Sequence, residues 1–82
     1  MRTLKEVNPL HDFRLECVFE DGSIRIADIK PFLNAEAFKP LLDPEIFSNM
    51  LRNNGYYIDW KELEIDLSAD TLWHIARPRN GS

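Results

Sequence analysis

Residues 13–29 decide the fold: Phe13-Arg14-Leu15-Glu16-Cys17-Val18-Phe19-Glu20-Asp21-Gly22-Ser23-Ile24-Arg25-Ile26-Ala27-Asp28-Ile29. Phe13, Leu15, Cys17 and Phe19 alternate with Arg14, Glu16, Val18 and Glu20, the period-two pattern of a half-buried strand. Asp21-Gly22 is the dipeptide that a two-residue type I′ turn favours, because both of its central positions need positive φ. Ile24 and Ile26 then alternate with Ser23, Arg25 and Ala27. A two-residue turn predicts Phe19 opposite Ile24 and Cys17 opposite Ile26 on one apolar face. Glu20–Ser23 and Glu16–Ala27 would lie on the other. Side chains alternate faces at every residue, so a slip of one position would turn that apolar set outward.

Outward from this hairpin, Thr3 to Leu10 carries a weaker strand pattern in which Pro9 calls for an edge or an end, since it has no N–H to donate. His11-Asp12 turns it into the hairpin, which makes a three-strand meander. Downstream, Pro31 and Pro40 bracket Phe32, Leu33, Phe38 and Leu41 at irregular spacing, the mark of a loop or short helical turns laid across the sheet. Asp43-Pro44-Glu45 starts a helix of one or two turns through Asn49, with Asp43 as N-cap and Pro44 at the first position. Met50 to Asn53 and Tyr56 to Trp60 flank Asn54-Gly55, a second type I′ signature. The predicted pairs are Leu51–Ile58 and Asn53–Tyr56, with Trp60 on the same face. Ser68 caps a helix from Ala69 to about Ala76, striped by Leu72, Ile75 and Ala76.

These elements give an α+β class: a small antiparallel sheet built from a three-strand meander and a second hairpin, with short helices. Residues 1–76 are expected to form a single small α+β domain, and residues 77–82 a flexible C-terminal tail. The 82 residues are 44 % hydrophobic and 29 % charged, which excludes disorder over most of the chain. Apolar runs stop far short of the roughly 20 residues needed to span a bilayer, and the chain start does not read as a signal peptide. One cysteine excludes an internal disulfide and a multi-thiolate zinc site, and a reducing cytoplasm is the expected compartment.

The sequence holds no His-Glu-x-x-His, Cys-x-x-Cys, P-loop or Gly-x-Gly-x-x-Gly motif, so no catalytic residue, cofactor or metal site is assigned. His11 and His74 are far apart in the chain. Cys17, on the apolar side of a central strand, reads as a small buried hydrophobe rather than a nucleophile. The strongest charge feature is acidic: Asp59, Glu62, Glu64, Asp66 and Asp70 stand against Lys61 alone. A run of this kind is either a solvated face or a docking surface for a basic protein, since complementary charge steers association. Tyrosine and tryptophan fill small cores and also anchor interfaces. The predicted register puts Trp60 inside, and leaves Tyr57 and Trp73 as the aromatics for an exposed contact. Net charge −4 weighs against direct nucleic-acid binding.

One ordered set of residues resembles a known family. Val7-x-Pro9-Leu10, Phe13-x-Leu15, Val18-Phe19-x-Asp21-Gly22, Asp28-Ile29 before Pro31, Phe38-x-Pro40-Leu41, Phe47, Ile58-x-Trp60 and Asp66-Leu67-x-x-Asp70-x-Leu72 are similar to the bacterial domain-of-unknown-function family 2442. Lys61 stands where many members have proline. The resemblance implies a small α+β fold without established catalytic residues, and an antitoxin-like partner in a two-gene pair. Two functional expectations follow. The first is a non-enzymatic protein-binding module that meets a small basic protein with Asp59, Glu62, Glu64, Asp66 and Asp70 and anchors through Tyr57 or Trp73. The alternative is a dimeric regulatory or nucleic-acid-associated domain, a homo-oligomer joined through an exposed edge strand from Thr3 to Val7.

Overall fold

The computed structural model describes residues 2–79. The alternating segments form strands β1 (Leu4–Leu10), β2 (Arg14–Phe19) and β3 (Ile24–Asp28), paired antiparallel as the expected meander. Two stretches of 3₁₀ turn, Lys30–Asn34 and Glu36–Leu42, carry the proline-bracketed segment and bury Leu33 and Leu41. Helix α1 (Pro44–Asn49) begins at Asp43, whose side chain accepts from the Glu45 N–H at 3.0 Å. Strands β4 (Leu51–Asn53) and β5 (Tyr57–Trp60) form the second hairpin. Strand β6 (Asp66–Ser68) pairs with β5, and helix α2 (Ala69–Ile75) follows, capped by the Ser68 hydroxyl accepting from the Thr71 N–H at 3.0 Å.

The α+β class stands, and the strands divide into two antiparallel sheets rather than one. The first has the order β1-β2-β3 with a short strand β7 (Arg77–Pro78) beyond β3, and the second β4-β5-β6. Strand β7 lies in the segment expected to be a free tail, and pairs with β3 at Arg25 and Ile26. The rest of that expected tail, residues 80–82, lies outside the described residues. Both sheets turn one face onto a shared core of Leu15, Cys17, Phe19, Ile29, Leu41, Phe47, Ile58, Trp60 and Leu72, with their neighbours. Trp60 is fully buried and its indole N–H donates to the Phe47 carbonyl at 3.0 Å, so its polar atom is satisfied inside the core.

Both hairpin registers differ from the sequence expectation, with different consequences. At the first turn, the Phe19 N–H donates to Ser23 O at 2.8 Å and the Gly22 N–H to Phe19 O at 2.9 Å. Glu20, Asp21 and Gly22 therefore form a three-residue loop, and Gly22 (φ 91) takes the left-handed position that such loops require. The extra loop residue pairs Val18 with Ile24, Cys17 with Arg25 and Leu15 with Ala27. Ile24 and Ile26 thereby leave the core face, and Arg25, Ala27 and Ile29 occupy it. In the second hairpin Leu51 pairs with Trp60 and Asn53 with Ile58, a shift of two positions from the expected pairs. An even shift keeps every side chain on its face, so Ile58 and Trp60 remain inside.

The start of β1, expected to be an open edge, is already engaged. The Leu4 N–H donates to the Gly55 carbonyl at 2.7 Å, and Asn53 Nδ2 donates to the Leu4 carbonyl at 3.1 Å. These bonds join the first sheet to the second hairpin. Among the described residues, no helix is long and apolar enough to cross a membrane.

Candidate functional site

The pleat of the second sheet sorts its side chains. Leu51, Ile58, Trp60 and Leu67 face the core, and Arg52, Tyr57, Asp59, Asp66 and Ser68 face outward. Register places Arg52, Asp59 and Asp66 in one row across the three strands, with Tyr57 opposite Ser68 in the next. Four of the five acids expected to form a surface thus gather on one sheet. Asp59 and Asp66 lie side by side on its outer face, and Glu62 and Glu64 lie in the turn between β5 and β6.

Two carboxylates directly opposite each other repel, and the sheet resolves this by neutralising one. Arg52 grips Asp59 with two parallel bonds, Nε to Oδ1 at 3.0 Å and Nη2 to Oδ2 at 2.7 Å. Asn54 Nδ2 adds a third bond at 3.1 Å. The Arg52 hydrogen bonds hold the Asp59 carboxyl below its ordinary range, and Asp59 in turn raises Arg52. Asp59 is therefore a fixed anion with its charge answered. Glu62, Glu64 and Asp66 are exposed and form no ion pair among the described residues.

The aromatics fall differently from the sequence expectation. Tyr57 is exposed, as expected, at 43 % of its surface. Tyr56, expected on the core side, is more exposed still at 58 %, because the register shift puts it in the turn beyond β4. Its backbone is held there by the Ala69 N–H, which donates to the Tyr56 carbonyl at 2.7 Å. No periodicity rule could have found Tyr56, because its position depends on where the turn falls. Trp73, expected to stand free, is clamped. The guanidinium carbons of Arg2 and Arg25 lie 3.4 and 3.6 Å from its ring centroid, distances that two groups can share only on opposite faces. Phe19 meets the ring edge-on at 5.0 Å. Arg25 also donates to the Trp73 and Ala76 carbonyls, at 3.3 and 3.4 Å, and Arg2 pairs with Asp21 at 3.1 Å. Asp70, the fifth acid, accepts from the Arg2 backbone N–H at 2.8 Å and belongs with this cluster on α2.

The other chemistry-bearing residues are dispersed. His11 is exposed in the turn after β1 and His74 on α2. Cys17 is sealed under β2, and burial pushes its thiol up to about 12. Among the described residues, no three His, Cys, Asp or Glu side chains are grouped to hold a metal ion.

A family model described as "Protein of unknown function (DUF2442)" matches residues 4–78, which span all the strands and helices named above. No curated protein and no solved structure matches the chain.

Proposed function

The chain belongs to the DUF2442 family, and from that footing we propose that it is a non-enzymatic protein-binding module that docks a small basic protein on the outer face of its second sheet. The observation that carries this reading is the pair of exposed tyrosines, Tyr56 and Tyr57, at one end of β5, on a sheet that also carries Asp66 on its outer face and Glu62 and Glu64 in the turn at the other end, three exposed carboxylates with no ion pair among the described residues. Tyrosine offers a large apolar contact with a polar tip and loses little side-chain entropy on binding, which is why it dominates interface hot spots. Glu62, Glu64 and Asp66 supply the field that steers a cationic surface onto it. Asp59 stays locked to Arg52 and shapes the floor of the face. Trp73 and Asp70 act in packing on α2, outside the contact. An antitoxin-like role, in which the chain covers a basic partner encoded beside it, is the biological form of this reading.

The test is capture of partners from native cytoplasmic lysate by the tagged chain, followed by titration of the purified partner. A basic protein is expected at near-equal stoichiometry, with affinity that falls as salt rises. Tyr57→Ala and Tyr56→Ala should each weaken it about tenfold or more, on the scale of an interface anchor. Asp66→Lys should weaken it chiefly through slower association. Unchanged affinity in all three variants would remove this face from the interface, and failure to capture any basic protein would remove the function.

A further inference from the structure

We propose that two copies of this chain associate face to face through the outer surface of the first sheet, about a two-fold axis parallel to its strands. The surface is distinct from the one proposed for the basic partner, which belongs to the other sheet. It exists because of the three-residue turn at Glu20–Gly22. That turn places Val18, Ile24 and Ile26 side by side on the outer face, on the adjacent strands β2 and β3. All three are half-buried, and none belongs to the core or to the side chains packed against it. This apolar cluster on the open side of the sheet is small, and fits a contact of the weak, transient class.

The charges around the cluster select the occupant. Pairing gives one row of Glu6 on β1, Val18 on β2, Ile24 on β3 and Arg79, whose N–H donates to the Ile24 carbonyl at 3.3 Å. The adjacent row runs Asn8, Glu16, Ile26 and Arg77. One rim is thus acidic and polar, the other doubly basic, and the middle apolar except for Glu16, which accepts from Asn8 Nδ2 at 3.1 Å. A face with this order complements a second copy of itself. A two-fold axis along the strands, between β2 and β3, lays β1 of one copy over β7 of the other. Glu6 then meets Arg79 of the second copy, Val18 meets Ile24, and Glu16 lies over Ile26 with Arg77 of the second copy beside it, above Asn8. An axis across the strands would instead stack β1 on β1 and bring like charges together. Aligned packing of two sheets at about 10 Å allows the apolar side chains to interdigitate.

Within one chain Arg79 reaches over β3 to Glu16 at 3.3 Å, with 59 % of its side chain exposed. Arg79 is the loose member of this pair, since Glu16 is only 19 % exposed and also accepts from Asn8; its guanidinium can turn to Glu6 of the second copy while that copy's Arg77 answers Glu16. The face is only three strand spacings wide, about 14 Å, which places the dimer among weak and transient associations.

The experiment is sedimentation velocity from micromolar to millimolar concentration, with ¹H–¹⁵N spectra recorded over the same dilution series. The average mass should rise toward twice that of the chain, and concentration-dependent shifts should centre on Glu6, Val18, Ile24, Ile26 and Arg77. Ile24→Thr with Ile26→Thr keeps two β-branched residues and should weaken association at least tenfold. Glu6→Arg alone and Arg79→Glu alone should each weaken it, and the two together should restore it. Glu6 and Arg79 lie at opposite rims of the sheet and are linked within one chain only through Asn8 and Glu16, so the exchange is repeated in a Glu16→Gln chain, where restoration reports a contact between copies. This charge exchange uses exposed positions and stays informative if the threonine variant does not fold. A chain that remains monomeric at millimolar concentration would overturn the proposal. So would association whose shifts lie elsewhere, or that the double exchange fails to restore.

Discussion

Cys17 shows what position does to a single residue. Burial, aided by the negative charge of Glu16, raises its thiol from 9.0 to about 12. Between those values an unfolded chain has released the proton and the folded chain has not. The unfolded state then binds fewer protons, so this residue lowers stability as pH climbs from about 9 toward 12, and contributes nothing to the pH dependence below that window. Urea unfolding from neutral pH to pH 10.5 should fall more steeply for the natural chain than for Cys17→Ala; parallel curves would contradict the burial argument. Glu62 illustrates the reverse, a residue at odds with its backbone. It sits at φ 68, where an L side chain costs about 1 kcal/mol, and its own side chain is exposed. Glu62→Gly should stabilise the chain by about 0.5–1 kcal/mol in the same unfolding experiment. The burial of Cys17 could be read from the alternation around it. The strain at Glu62 could not, because an exposed glutamate carries no signal for the turn that forces its φ.

At the scale of elements, caps and turns separate. Ser68 closes α2 by accepting from Thr71, and Asp43 closes α1 by accepting from Glu45. Each is a conversation among residues at most three apart, so both were legible in the sequence. Ser68→Ala should cost about 1 kcal/mol, measured by thermal or chemical unfolding. The hairpins were legible as hairpins but not in register. Asp-Gly supports a two-residue turn with two positive φ angles, or a longer one in which glycine alone is left-handed. The second occurs here, and only Gly22 of the turn has positive φ. A Cβ at Gly22 would meet no atom within 4 Å, so Gly22→Val tests backbone strain without a clash. We expect it to cost about 1 kcal/mol or more. No loss of stability would mean that the turn tolerates another geometry, and with it another register.

On the scale of the whole molecule, two small sheets are stable because they share one core. Phe19 is 1 % exposed and touches both the hairpin and, through Trp73, the last helix. Phe19→Ala should cost about 3–5 kcal/mol. A domain of this length has a total stability of the same order, so a large unfolded fraction at room temperature is expected in its circular dichroism. A melt like that of the natural chain would mean that the inward face of β2 is wrongly assigned. The same shared core decides which surfaces remain for partners: the outer face of the second sheet, with Tyr57, the exposed acids and Tyr56 in its first turn, and the outer face of the first, with Val18, Ile24 and Ile26.

The sequence by itself determined the meander, the two short helices with their caps, the burial of Trp60 and Cys17, and the acidic character of the segment from Asp59 to Asp70. All of these rest on periodicity, capping chemistry or charge count, which act over a few residues. Only the tertiary structure decided that there are two sheets, that Asp66–Ser68 and Arg77–Pro78 are strands, and that Trp73 is stacked between two arginines while Tyr56 is free. Strands of two or three residues are too short to show a period, and they form because a neighbour offers an edge. Arg2 and Arg25 reach Trp73 across separations of 71 and 48 residues, and no local pattern records a contact of that span.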